Sequence, residues 1–185
     1  MIQNVKVYGL EDSIKRSKYP KAVDISKCTS EITKTVNGLA TCQKGEGHDN
    51  FLKGIIVQFD LTFTIKTWVQ GERYHWFDII SSQSVMHCID RFEIEDRCIK
   101  YVSEVIVNEV KRLKEIFYTD KTMENFLNLV YSVPGGFKLT AGMTTNYQQL
   151  KTIYSQRKTH RLPEWQEFCK WVESLPHSEF ITGSK

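Results

Sequence analysis

Residues 71–87 read GERYHWFDIISSQSVMH and gather an arginine, two histidines, a tryptophan, three serines and a glutamine. The apolar residues of this stretch, Trp76, Phe77, Ile79, Ile80, Val85 and Met86, alternate with hydrogen-bonding ones, as in a segment that lines a ligand cavity. A strand continuing into a core is apolar, and a solvent loop is richer in Gly, Pro, Lys or Glu. Arg73 beside Tyr74 and His75 offers a guanidinium fork and two ring donors to a pyrophosphate, or else Arg73 pairs with Glu72. Ser81, Ser82, Gln83 and Ser84 carry hydroxyls and an amide that can read the edge of a pyrimidine; alternatively they cap the helix that follows. His87 is either a proton shuttle near neutral pH or structural. No G-x-S-x-G and no histidine–aspartate arrangement points to a hydrolase. His48 and His160 are too far apart in sequence and too little supported by nearby acids to suggest a metal site, so no metal is expected.

Hydrophobic periodicity supplies the elements that must hold these groups. NVKVYGL alternates and ends at a glycine, which predicts a short strand. In DISKCTSEITKTVNGLATCQKGEGH, Ile25, Ile32, Val36 and Leu39 recur at roughly helical spacing, with Thr29 or Ser30 as N-cap. FLKGIIVQFDLTFTIKTWVQ is the best strand signal, with Val57, Phe59, Leu61, Phe63 and Ile65 on one side and Ile56, Gln58, Asp60, Thr62 and Thr64 on the other. Its second half fits a continuing strand or the start of a helix. Residues 91–117 place Ile99, Val102, Val105, Ile106, Val110, Leu113 and Phe117 at three- and four-residue steps, which predicts one long amphipathic helix. KTMENFLNLVYSV predicts another, stopped by Pro134, Gly135 and Gly136. TTNYQQLKTIYSQR and PEWQEFCKWVESL predict two more, the last with Pro163 in its first turn. Strand, helix, strand, then helices is the order of an α+β fold in which helices, one of them long, pack on a small mixed or antiparallel sheet.

The 185 residues contain no internal repeat, and a single domain spanning 1–185 is expected. A formal charge of +3 is too small to imply a nucleic-acid partner, although basic residues gather in KTIYSQRKTHR and suit an anionic ligand or a solvated helix face. The five cysteines, Cys28, Cys42, Cys88, Cys98 and Cys169, are odd in number and contain no C-x-x-C pair, so reduced thiols are expected rather than a disulfide framework or zinc site. With no long apolar run and no signal-like start, the expectation is a cytoplasmic protein without a membrane partner. Trp165, Phe168 and Trp171 read as core or subunit-contact residues.

Three segments together resemble the flavin-dependent thymidylate synthase (ThyX) family in order and spacing: GHDNFLKGIIVQFDL, WVQGERYHWFDIISSQS and VPGGFKLTAGMTTNYQQLKTIYSQRKTHRLPEW. The resemblance implies reductive methylation of dUMP or a related pyrimidine nucleotide, with FAD as cofactor and methylenetetrahydrofolate and NADPH as cosubstrates. It implies flavin contacts from His48, Arg73, Tyr74, His75 and Asn146, and nucleotide contacts from Gln70, Ser81, Ser82, Ser84 and Arg157. Ser84, with Gln83 and His87 beside it, falls at the family's catalytic serine when one residue is inserted after His75. It also implies a homotetramer whose active sites are shared between subunits. The chain departs from the pattern at several positions. Tyr74 and His75 stand for the His and Arg of the family triplet, and Ser81 or Ser82 stands for a glutamate. Val85 or Met86, and Val130, stand where the family directs two arginines at the nucleotide. A non-methylating flavin- or nucleotide-binding paralogue is the alternative these departures imply.

Overall fold

The structure is a computed structural model that describes residues 1–43 and 45–183. Its centre is a four-stranded sheet in the order β1-β2-β4-β3, formed by β1 (Ile2–Tyr8), β2 (Ile56–Thr64), β3 (Phe77–Ser82) and β4 (Lys138–Asn146), with every pairing antiparallel. Around it lie α1 (Leu10–Ser17), α2 (Lys34–Ala40), α3 (Ile65–Gly71), α4 (Val85–Cys88), α5 (Ile94–Arg97), α6 (Glu104–Thr119), α7 (Met123–Tyr131), α8 (Tyr147–Arg157), α9 (Pro163–Glu173) and α10 (Glu179–Thr182). The fold is α+β, as the order of elements predicts.

The alternation in β2 fixes the faces. Val57, Phe59, Leu61 and Phe63 are buried and pack with Ala141 and Met143 of β4 against α8, α9 and α10, where Leu150, Ile153, Trp165, Phe168 and Phe180 close the main core. The opposite face carries Gln58, Asp60, Thr62, Thr140 and Thr144 and stays largely open, the arrangement an antiparallel sheet tolerates. A second, smaller core gathers Ile89, Phe92, Ile94, Val110, Leu129 and Phe137 under α6 and α7. Among the described residues no helix is long and apolar enough to cross a membrane.

Several boundaries differ from the sequence expectation, each for a local reason. β2 stops at Thr64, whose side chain accepts from the Thr67 amide and opens α3, so the ambiguous second half of that segment divides between strand and helix. The helix expected from residue 91 begins only at Glu104. The backbone ahead of it pairs elsewhere: Cys98 bridges Phe137, and the Ile99 amide donates to Gly136 O at 2.9 Å. Gly136 permits this approach, since a Cβ there would run into Val102 Cγ2. α2 is capped by Thr33, not Thr29 or Ser30, and Asp24 caps a separate turn at Ile25–Lys27. Thr144 and Thr145, expected to begin a helix, instead end β4, as β-branched residues prefer. Residues 77–82 form an edge strand on which only Phe77 is buried.

Candidate functional site

Arg157 ends α8 and Gln70 lies in the last turn of α3, and the fold brings them into contact. Arg157 Nη1 donates to Gln70 Oε1 (3.0 Å), and Arg157 Nε donates to Tyr74 Oη (2.7 Å). Tyr74 Oη in turn donates to Gln156 Oε1 (3.0 Å). The guanidinium lies 4.8 Å from the centroid of the Trp165 ring and 5.4 Å from that of Tyr74, so two aromatic faces hold it. Trp165 is fully buried, and its indole N–H also donates to Gln70 Oε1 (3.1 Å). That oxygen therefore faces two groups that can only donate, and the orientation of the Gln70 amide is settled: its NH2 points away from the cluster. Trp165 is a core residue, as its sequence context implies, but its polar handle was not foreseen. The available signal was that a buried indole N–H needs an acceptor.

The charge of Arg157 reaches its neighbours. The His160 ring is held below its ordinary range, first by burial and then by Arg157, with Glu164 acting in the opposite sense. Its Nδ1 accepts from the Leu162 amide (3.1 Å) at the entry to α9, which the neutral ring alone allows. Burial pushes the Cys169 thiol up to about 11, so it is an inert core group. All five cysteines are free, and no cluster of metal-ligating side chains occurs among the described residues.

A groove of about 440 Å³ runs along the other side of α8. Gly45 and Asp49 form one wall, Trp76 the other, and Gln148, Gln149 and Thr152 the floor. Lys151 fixes the first wall: its ammonium donates to Asp49 Oδ2 (2.8 Å), Ala40 O (2.8 Å) and Cys42 O (2.9 Å), while Gln148 Nε2 donates to Asp49 Oδ1 (3.0 Å). His48 precedes Asp49 in the chain without lining the groove, and Arg73 and His75 lie in the turn that leads to Trp76, with His75 lining a separate pocket beside Tyr74 and Phe77. Asn146 N-caps α8 with its Oδ1, accepting from the Gln149 amide (2.9 Å). Arg73, His75 and His48 are exposed, and among the described residues none makes a side-chain hydrogen bond or ion pair; the Arg73–Glu72 pair is not formed. These exposed guanidinium and ring N–H groups, near in sequence to the groove-lining Asp49 and Trp76, are donors that a pyrophosphate can accept from. Asn146 fits less well, because its carbonyl oxygen is already engaged.

Ser81 and Ser82 are exposed on β3, opposite Gly142 and Ala141. Ser84 occupies the N-cap position of α4 without making a cap bond, and its hydroxyl makes no hydrogen bond among the described residues. Gln83 Oε1 accepts from both Arg97 Nη1 (2.9 Å) and the Thr140 amide (3.0 Å). His87 is exposed, and its carbonyl accepts from Arg91 Nη2 (2.7 Å). The structure does not bring these residues into contact with Gln70 or Arg157. The Arg157 cluster packs, through Trp165 and Phe63, on the covered face of the sheet, whereas the Gln83–Arg97 pair belongs to a cleft lined by Thr62 and Thr140 on the open face.

No family model matches the sequence, and no curated protein does. Among solved structures, the chain is similar to flavin-dependent thymidylate synthase ThyX from Helicobacter pylori complexed with FAD and dUMP, with a TM-score of 0.73 and 14% identity over 98% of this chain and 96% of that one. It is also similar to a second structure of Thymidylate Synthase X from Helicobacter pylori with FAD and dUMP, with a TM-score of 0.76 and 13% identity over 98% and 97% of the two chains. What the chains share at these identities is the fold.

Proposed function

We propose that this protein is a cytoplasmic, flavin-dependent thymidylate synthase-like enzyme that carries out reductive methylation of dUMP or a related pyrimidine nucleotide, with methylenetetrahydrofolate as carbon donor and NADPH as reductant. The observation that carries the proposal is the Gln70–Tyr74–Arg157 cluster. Gln70 and Arg157, two of the positions at which resemblance places nucleotide contacts, lie 87 residues apart, yet are joined through one amide oxygen.

In this reading FAD, when bound, supplies the redox step by carrying the hydride. Arg73, His75 and His48 would contact its phosphates, and Lys151 anchors Ala40, Cys42 and Asp49 beside the groove. Arg157, held by Tyr74 and Trp165, presents positive charge to the nucleotide. Gln70, with its NH2 turned outward, donates to a pyrimidine carbonyl. Ser84 offers a free hydroxyl at the other half of the site, with Ser81, Ser82 and Gln83 beside it and His87 available to move a proton near neutral pH. The two halves lie on opposite faces of one sheet, so a nucleotide touching both takes them from different copies of the chain, in a homotetramer with shared sites.

One set of observations favours a second reading, a non-methylating flavin- or nucleotide-binding paralogue that acts as sensor or sequestering protein. Met86 is an exposed apolar side chain, Val130 packs on the smaller core, and Ser81 or Ser82 stands in place of an acid. Titrating FAD into the purified chain and following flavin fluorescence tests the first reading. Quenching by wild type that is lost in Arg73→Ala is the expected outcome. Absence of quenching by wild type rejects the flavin assignment, and dTMP formation in the complete reaction mixture separates the enzyme from the silent binder.

A further inference from the structure

We propose that the cleft on the open face of the sheet is a phosphate subsite in which Arg97 and Lys138 hold the phosphate monoester of the pyrimidine nucleotide; this rests on the nucleotide reading above. The cleft encloses about 430 Å³ between Thr62 and Thr140 of the sheet and the segment carrying Arg91, Phe92 and Arg97. Its floor is neutral and polar, a Thr62–Thr140 hydroxyl pair 2.8 Å apart.

Arg97 is held in place but not neutralised, and Lys138 is uncommitted among the described residues. The Arg97 guanidinium lies 4.4 Å from the centroid of the Phe92 ring, and its Nη1 donates to Gln83 Oε1 at 2.9 Å. The remaining N–H groups of that fork make no hydrogen bond within the described residues. Lys138, across the cleft, makes neither a hydrogen bond nor an ion pair with them. Arg91 is more committed, donating to His87 O and lying 3.8 Å from Asp90. Glu93 and Asp96 also line the cleft, but both are exposed and neither pairs with Arg97 or Lys138. Arg97 and Lys138 are therefore both open to an anion, and the three cations of the lining outnumber its two carboxylates.

Gln83 ties this charge to the candidate site. Its Oε1 accepts from Arg97 Nη1 and from the Thr140 amide, both obligate donors, so its NH2 is turned outward as a further donor next to Ser84. A guanidinium edge and an ammonium lining one cleft, with the Gln83 amide bonded to that guanidinium, suit the three terminal oxygens of a phosphate monoester better than the two of a carboxylate. The placement also accounts for the two arginines absent at Met86 and Val130: positive charge reaches the Ser84 half of the site from α5 and β4 instead.

Calorimetric titration of the full-length protein with dUMP and with deoxyuridine, in wild type, Lys138→Gln, Lys138→Arg and Arg97→Gln, tests the proposal. Loss of one charged hydrogen bond corresponds to about tenfold or more in affinity. Lys138→Gln and Arg97→Gln are expected to weaken dUMP by that factor and leave deoxyuridine unchanged, while Lys138→Arg keeps dUMP affinity. Lys138 lies on the open face of the sheet, so its variants guard against a folding defect in Arg97→Gln. If wild type binds dUMP and Lys138→Gln binds it equally well, the phosphate sits elsewhere and only the subsite is rejected. If wild type binds neither compound, the nucleotide reading fails and the subsite with it.

Discussion

Arg157 engages two of its nitrogens within the chain, on Tyr74 and Gln70, and stacks on Trp165, so its charge is presented from a fixed position. A charged hydrogen bond from such a group contributes roughly 1.5 to 3 kcal/mol. Arg157→Ala is therefore expected to weaken pyrimidine nucleotide binding at least tenfold while leaving flavin content unchanged, which calorimetry and absorbance on the same samples will decide. Equal nucleotide affinity in the variant would remove Arg157 from the site. His160 makes a prediction in pH. Burial and Arg157 lower its folded pKa below its ordinary value of 6.5, so the unfolded chain binds the proton more readily. Its contribution to stability is complete above about pH 6.5 and is lost as pH falls toward the lowered value. Thermal melts of wild type should decline across that window more steeply than those of His160→Asn, which keeps a side-chain acceptor for the Leu162 amide without a titrating ring. Parallel curves would show that the ring does not titrate in this way.

At the scale of elements, the groove wall depends on one lysine. Lys151 joins α8 to Ala40, Cys42 and Asp49 through the Asp49 carboxylate and two backbone carbonyls, and neither member of the Lys151–Asp49 pair is more than one-fifth exposed. Lys151→Met leaves the carboxylate with a single side-chain donor, Gln148, and should cost roughly 3 kcal/mol in urea unfolding. A loss below about 1 kcal/mol would mean that the wall holds without it. Asn146→Ala should cost about 1 kcal/mol through loss of the α8 cap. These devices are only partly legible in the sequence. β1, β2, α7 and α9 follow from alternation, helical spacing and Pro163. β4 was hidden because KLTAGMTTN is rich in small and hydroxyl residues, and its register depends on pairing with β2, a long-range property. The helix start at Glu104 is likewise set by the Cys98–Phe137 bridge, which no local pattern announces. Gln70, Tyr74 and Arg157 were legible singly. Arg97, Lys151 and the polar role of Trp165 were not, because each acts through a partner distant in sequence.

The whole molecule presents surfaces that a second copy would cover. Val105 and Ile106 on α6 and Met123, Leu127 and Tyr131 on α7 are exposed, the last three at four-residue steps along one stripe. With the two halves of the proposed site on opposite faces of the sheet, a mass well above 21.6 kDa is expected from light scattering, a tetramer being the state that the family resemblance implies. A monomer at micromolar concentration would exclude shared sites. The central claim, that a flavin and a pyrimidine nucleotide occupy adjoining positions in one site, is tested most directly by the visible absorption spectrum of the FAD-loaded protein titrated with dUMP. The account predicts near-stoichiometric flavin and a saturable change in its absorption band as dUMP fills the site. A protein that retains no flavin, or a flavin band indifferent to saturating dUMP, would contradict it.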